Sequence, residues 1–239
     1  LETLYPGRID LGIGRAPGTD GVTAMALGRN PMAINDMFPR QIQELQTYFS
    51  AENSTGKVRA IPGEGLDIPI YILGSSTDSA WLAARLGMPY AFAGHFAPAQ
   101  MQEAFKIYKE NYQPSEKYPH PYTIAGINII AADSDAEANH LATTLFQAFR
   151  NILNNDRRAL QPPVSNFDET LSSADVAGLN RMLSLTFIGD KSTLKKQLIE
   201  FLEIYDVDEI IAVSHIYDHE ARLKSYDILR GVIDEINAN

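Results

Sequence analysis

Cysteine is absent from all 239 residues, which removes disulfides, thiolate zinc sites and cysteine nucleophiles together. No apolar stretch approaches the ~20 residues that a helix needs to cross a bilayer. Positive charge is scarce, since 20 Lys and Arg stand against 30 Asp and Glu and leave a formal charge of −10. No basic run exceeds two residues (Arg157-Arg158 and Lys195-Lys196). Nonspecific nucleic-acid binding needs clustered cations that displace counterions, so the chain is not expected to bind nucleic acid. An anionic membrane surface would repel it for the same reason. Internal repeats and low-complexity tracts are lacking too. No stretch reads Gly-x-Ser-x-Gly, and no Lys-Ser or Lys-Thr follows a six-residue glycine frame. Serine-hydrolase chemistry is thus left without support, and a nucleoside-triphosphate loop is excluded. The chain opens Leu1-Glu2-Thr3-Leu4-Tyr5, without an initiator methionine or a leader-like region.

Against these absences stands a hydrophobic fraction of 45%, with 11 Tyr and 10 Phe, enough apolar surface to exclude global disorder. A chain of this length reads as one domain over residues 1–239. Short apolar runs alternate with helical patterns, as in βα units around a parallel sheet. Five runs read as strands, at 8 to 14, 68 to 74, 89 to 93, 122 to 132 and 207 to 214. Most are almost continuously apolar, as expected when both faces are covered. Helices are predicted near 34 to 50, 77 to 87, 98 to 112, 134 to 154, 174 to 184, 191 to 205 and 219 to 237. In 191 to 205, Leu194, Leu198, Phe201, Leu202 and Tyr205 follow the spacing of one buried stripe. Asp133-Ser134 and Asp190 or Ser192 are expected to cap helices rather than to form a carboxylate pair. Residues 51 to 67 read as an exposed connection. The stretch 155 to 173, with Pro162-Pro163, reads as a surface excursion, or alternatively as a lid.

In a parallel sheet or barrel, ligands bind at the carboxyl ends of the strands. Four such places carry chemistry-bearing residues. After the first strand, Gly12, Gly14 and Gly18 admit close backbone approach, and Arg15 offers a forked cationic donor for phosphate. The alternative there is a glycine turn with Arg15 in a structural ion pair. After the second, Gly74-Ser75-Ser76-Thr77-Asp78-Ser79 opens a helix, where free N–H groups, hydroxyls and the helix dipole suit a phosphate. Plain helix capping by the same hydroxyls is the alternative. His95 follows the third strand, and His215 the last. His215 and His219 straddle a strand-to-helix junction, which speaks against the shared helical face a metal pair needs, and no metal site is expected. For each histidine a hydrogen-bonded structural role is the alternative.

The segment from Leu4-Tyr5-Pro6-Gly7-Arg8 through Gly14-Arg15-Ala16-Pro17-Gly18-Thr19-Asp20 closely resembles the luciferase-like flavin-dependent monooxygenases. So do Leu73-Gly74-Ser75-Ser76, Ala83-Ala84-Arg85-Leu86-Gly87, Phe92-Ala93-Gly94-His95-Phe96 and Phe187-Ile188-Gly189-Asp190, in the same order. The resemblance implies an α/β fold, a (β/α)8 barrel of the TIM type. It implies reduced FMN bound at the carboxyl ends of the strands, which reacts with O2 to oxidise a small organic substrate. Arg15 would then contact the flavin phosphate or ribityl chain. Ser76 and Ser79, with the backbone of Gly74 and Ser75, would hold the phosphate, and His95 would be the catalytic residue near the flavin ring. A flavin reductase or NAD(P)H would supply electrons, and the location would be cytoplasmic. Family members carry three further βα units before the Tyr-Pro-Gly-Arg segment, so the five strands would be the fourth to the eighth. The expectation is a fragment of a longer protein or an intimate homo-oligomer. Two alternatives stay open: a flavin-binding or structural barrel remnant without turnover, and an oxidoreductase that uses a deazaflavin.

Overall fold

A strand covered on both faces must be apolar throughout, and residues 123 to 131 meet that condition. In a computed structural model these residues form β4 (Thr123–Ala131), buried at all nine positions. The structure describes residues 1–239 except Pro17, Asp20, 28 to 30, Arg157 and Asn239. The described residues divide into two compact units. The first holds residues 1–74, 78–91 and 107–121, and the second holds 75–77, 92–106 and 122–239.

In the second unit β4 has two parallel partners. Its residues Ile124 to Asn128 pair with β6 (Glu209–Val213), and Asn128 to Ala131 pair with β5 (Thr186–Gly189). Helices α5 (Asp135–Leu153), α6 (Ser173–Met182), α7 (Lys191–Tyr205) and α8 (His219–Asn237) follow. Each starts on a side-chain cap that accepts a first-turn N–H: Ser134 from Glu137, Ser172 from Asp175, Asp190 from Thr193 and Asp218 from Ala221. Ser134 and Asp190 are among the expected caps. Asp133, one residue earlier, is ion-paired with Lys224. The stripe expected on α7 also forms, with Leu194, Leu198 and Phe201 buried and Leu202 and Tyr205 half-buried. Two buried hydroxyls, Ser225 of α8 and Ser214 just past β6, bond to the backbone of β4. Ser225 Oγ accepts from the Ala131 N–H at 2.9 Å, and Ser214 Oγ donates to the Ile129 carbonyl at 2.7 Å.

In the first unit β1 (Leu11–Gly14) pairs in parallel with β2 (Ile70–Gly74). The Ile72 N–H donates to the Pro89 carbonyl at 2.9 Å, where the chain enters β3 (Tyr90–Phe92). Helices α1 (Gly21–Ala26) and α2 (Pro31–Phe49) lie between β1 and β2, and α3 (Thr77–Leu86) between β2 and β3. The next helix, α4 (Met101–Asn111), brings Tyr108, whose hydroxyl donates to the Met88 carbonyl at 2.9 Å.

Two elements depart from the expectation. The five predicted strands become six, because β5 is a four-residue strand whose short apolar stretch merges into the start of the following helix. Helix α1, six residues long, also had no periodic pattern to announce it. The stretch 155 to 173 is a docked excursion rather than a lid. Phe167 is 5% exposed within the cluster of Ile130, Leu145, Phe149 and Leu179, and its ring stacks on Phe146 at 6.2 Å. Hydrogen bonds from Thr144 Oγ1 to the Gln161 carbonyl and from Gln147 Nε2 to the Pro162 carbonyl fasten the same stretch to α5. Truncating Phe167 to Ala removes this anchor and leaves a cavity, with an expected cost of roughly 3–5 kcal/mol. Urea denaturation measures the loss, and limited proteolysis should then cut first within 155 to 173.

Candidate functional site

Arg15 is the residue that follows β1, and β2 ends at Gly74, so the parallel pairing of Gly14 with Leu73 sets the ends of the two strands side by side. The Arg15 guanidinium lies 3.8 Å from the Asp78 carboxylate in the first turn of α3. That contact is longer than a hydrogen bond, and the side chains are 34% and 76% exposed. An ion pair of this kind contributes little to stability, so the guanidinium remains available to an anion. The space beside Gly12 and Gly14 is taken up by the protein itself. A Cβ at Gly12 would stand 3.0 Å from Leu73 Cδ1, and one at Gly14 would stand 3.3 Å from the Leu73 carbonyl oxygen. Those two glycines therefore serve strand packing. Pro17 and Asp20 of the same motif lie outside the described residues.

The turn after β2 is built around Gly74. A Cβ there would come within 1.9 Å of Ser79 Oγ and 2.3 Å of Ser79 Cβ, so only glycine lets the helix start this close to the strand. Ser79 is 9% exposed, and its hydroxyl lies 2.8 Å from the Tyr90 hydroxyl on β3. Burial pushes the Tyr90 phenol far above its ordinary value, which the Ser79 hydrogen bond offsets in part. The resemblance assigns Ser79 to the phosphate. Its hydroxyl is turned inward to Tyr90 instead, because the third residue of the helix faces the strands. Ser75 is exposed and Ser76 half-buried at the turn, where the first peptide N–H groups of α3 have no intrahelical acceptor.

His95 belongs to the second unit, three residues past β3. Burial lowers the pKa of its imidazole from the ordinary value of 6.5, and the charge of His215 lowers it further. Burial alone lowers that of His215. Both rings have Nδ1 sealed inside the protein without a hydrogen-bond partner among the described residues. Asn128, 1% exposed on β4, donates through Nδ2 to the His95 carbonyl at 2.6 Å. No sequence pattern marked Asn128 or Tyr90, since each sits inside an apolar strand. His219 is exposed, with Nδ1 2.8 Å from an Arg222 nitrogen. Among the described residues no group of three or more His, Asp or Glu side chains is placed to hold a metal ion. A cavity of about 220 Å³, lined by Phe49, Leu66, Ile70, Met88 and Tyr118, opens at the amino ends of β2 and β3. In parallel α/β folds that end governs stability rather than chemistry.

Comparison with known proteins follows the same residues. The sequence profile of the luciferase-like monooxygenases matches residues 1–205. A luciferase-like monooxygenase of Escherichia coli is 44% identical over 236 residues, 99% of this chain and 70% of the relative. Apo-MsnO8 superposes with a TM-score of 0.79 at 27% identity, over 98% of this chain and 70% of that one. Two further structures share the fold. One is the oxygenating constituent of 3,6-diketocamphane monooxygenase from Pseudomonas putida, a type II Baeyer-Villiger enzyme in complex with FMN. It has a TM-score of 0.61 at 18% identity, over 93% of this chain and 69% of that one. The other is an F420-dependent secondary alcohol dehydrogenase, with a TM-score of 0.64 at 12% identity, over 97% and 72%. With the profile spanning most of the chain and this degree of identity, the protein belongs to the luciferase-like monooxygenase family.

Proposed function

We propose that this chain is an FMN-dependent monooxygenase that uses reduced flavin and O2 to oxidise a small organic substrate. The observation that carries the reading is the β2–α3 turn. There Gly74 lets α3 start close to the strand, and the Arg15 guanidinium lies 3.8 Å from Asp78 in the first turn of that helix. This donor set fits a phosphate dianion: peptide N–H groups and the helix dipole favour negative charge, and Arg15 supplies a fixed countercharge. Among the structures of the same fold, one is a complex with FMN, and an F420-dependent enzyme shares the fold as well. The second of these keeps the deazaflavin alternative in play, and a direct comparison of the two cofactors separates them.

In this reading Arg15 and the Ser75 and Ser76 amides and hydroxyls hold the flavin phosphate. Ser79 acts from beneath, since its bond to Tyr90 fixes the first turn of α3 against the strands. Reduced FMN, when bound, supplies the two electrons with which one atom of O2 enters the substrate and the other leaves as water. Burial and the charge of His215 favour the neutral form of the His95 imidazole, a group able to give or take one proton. Electrons reach the flavin from a separate reductase or from NAD(P)H.

Fluorescence titration of FMN with the 239-residue chain tests the phosphate turn. Arg15→Ala removes a charge-assisted bond and should weaken FMN roughly 10- to 100-fold, and Ser76→Ala about 2- to 10-fold. Both effects should vanish with riboflavin, which has no phosphate. Gly74→Ala should displace Ser79 and lower the melting temperature measured by circular dichroism. Equal loss of FMN and riboflavin in Arg15→Ala would remove the phosphate assignment.

The imidazoles set a pH dependence. His95 and His215 have folded-state pKa values below the ordinary 6.5, so the unfolded chain binds more protons near that pH. Their contribution to stability is full above about 6.5 and is lost as pH falls through the folded values. Urea unfolding between pH 8 and pH 5 should show this decline, and His95→Phe with His215→Phe should flatten it.

A further inference from the structure

The cavity of about 220 Å³ at the amino ends of β2 and β3 lies wholly within the first unit. Ile70, one of its lining residues, stands at the far end of β2 from Gly74, about 13 Å along the strand, so the phosphate turn takes no part in it. The interior is apolar and fixed. Ile70 and Met88 are buried, and Phe49, Leu66 and Tyr118 are half-buried. The Tyr118 hydroxyl accepts from the Ile70 N–H at 3.1 Å, and the Tyr118 carbonyl accepts from the Tyr112 hydroxyl at 2.9 Å. The Phe49 carbonyl accepts from the Gly65 N–H at 2.8 Å, which holds the residue before Leu66 against the end of α2. Walls tied in this way need little ordering when a ligand enters.

Two charges of opposite sign stand at the edge of this space. Lys117 and Asp67 both line the cavity and form an ion pair, with side chains 42% and 87% exposed. An exposed pair of this kind holds weakly, so either member is able to turn to a ligand. Lys117 also donates to the Ile68 carbonyl at 3.3 Å, and an ammonium carries three donors, which leaves one beyond these two bonds among the described residues. A carboxylate alone would bring its charge against Asp67, and an amine alone would face Lys117. A ligand with both groups on one carbon meets attraction at each. A cavity of roughly 150 Å³ holds benzene, so the space here admits a phenyl or isobutyl side chain. We propose that this cavity binds a free α-amino acid with an apolar side chain, its carboxylate on Lys117, its ammonium on Asp67 and its side chain against Ile70 and Met88. The amino ends of strands in parallel α/β folds carry no chemistry, so the amino acid is held and released unchanged. The site stands independently of the flavin reading.

Fluorine NMR titration of the 239-residue chain with 4-fluoro-L-phenylalanine at pH 7.5 tests this, beside 3-(4-fluorophenyl)propionate and 4-fluorophenethylamine, which each keep the ring and one of the two charges. The amino acid should bind saturably, and each singly charged analogue roughly 5- to 20-fold more weakly. Asp67→Asn should weaken the amino acid and strengthen the propionate, because the repulsion is gone. Lys117→Met should likewise weaken the amino acid and strengthen the amine. These opposite responses to one substitution are ones that a merely unfolded or loosened chain does not give. Leu66→Trp, which fills the cavity, should abolish binding of all three, with circular dichroism verifying that the variant is folded. Absence of saturable binding overturns the proposal, as does equal affinity for the three ligands, which would mean adsorption of the ring alone. Displacement of the amino acid by FMN overturns it too, by placing the ligand at the phosphate turn. Binding that persists in a chain that takes up no flavin leaves this site standing and counts only against the flavin reading.

Discussion

Nine consecutive buried residues in β4 leave eighteen backbone polar groups without water, and every one of them needs a partner inside the protein. That demand organises the second unit. The parallel partners β5 and β6 take up different halves of β4, and the Ser225 hydroxyl brings α8 to the same strand. Once β4 is satisfied in this way, Asn128 and Gly126 occupy fixed positions on it. Through them the strand holds the loop that carries His95 and admits its ring.

Strands and helices bury apolar side chains and satisfy their caps. Yet two imidazole nitrogens and two amide oxygens, those of Asn128 and Gln197, are sealed in the second unit with no partner among the described residues. Buried polar atoms left in this state cost stability, so a fold that keeps them does so for a reason other than packing. At the β2–α3 turn the cost takes another form: glycine is required at position 74 because Ser79 is drawn in by Tyr90. At the exposed end of that turn the Arg15 guanidinium lies 3.8 Å from the Asp78 carboxylate.

Much of the architecture was legible before any coordinates. Near-continuous apolar runs marked five strands, seven helices followed their periodicity, and Ser134 and Asp190 stood where caps belong. The family was legible as well, because several motifs in a fixed order are far more specific than any one glycine or serine pair, and the profile match over residues 1–205 bears this out. The short strand β5 and helix α1 were not legible, because four to six residues complete too little of a period. The stretch 155 to 173 read as a surface excursion or a lid, and Phe167 anchors it, a role that depends on the cluster it enters.

Local chemistry, written into the order of residues, determined where the strands and helices lie and that Arg15, the 74 to 76 turn and His95 follow strand ends. Tertiary structure alone decided which way each of these side chains faces. Gly12 and Gly14 serve Leu73, the Ser79 hydroxyl serves Tyr90, and Asn128 joins the loops that carry His95 and His215. The physical reason is that orientation depends on contacts between residues distant in sequence. Hydrogen bonds and excluded volume between such residues come into being only when the strands pair.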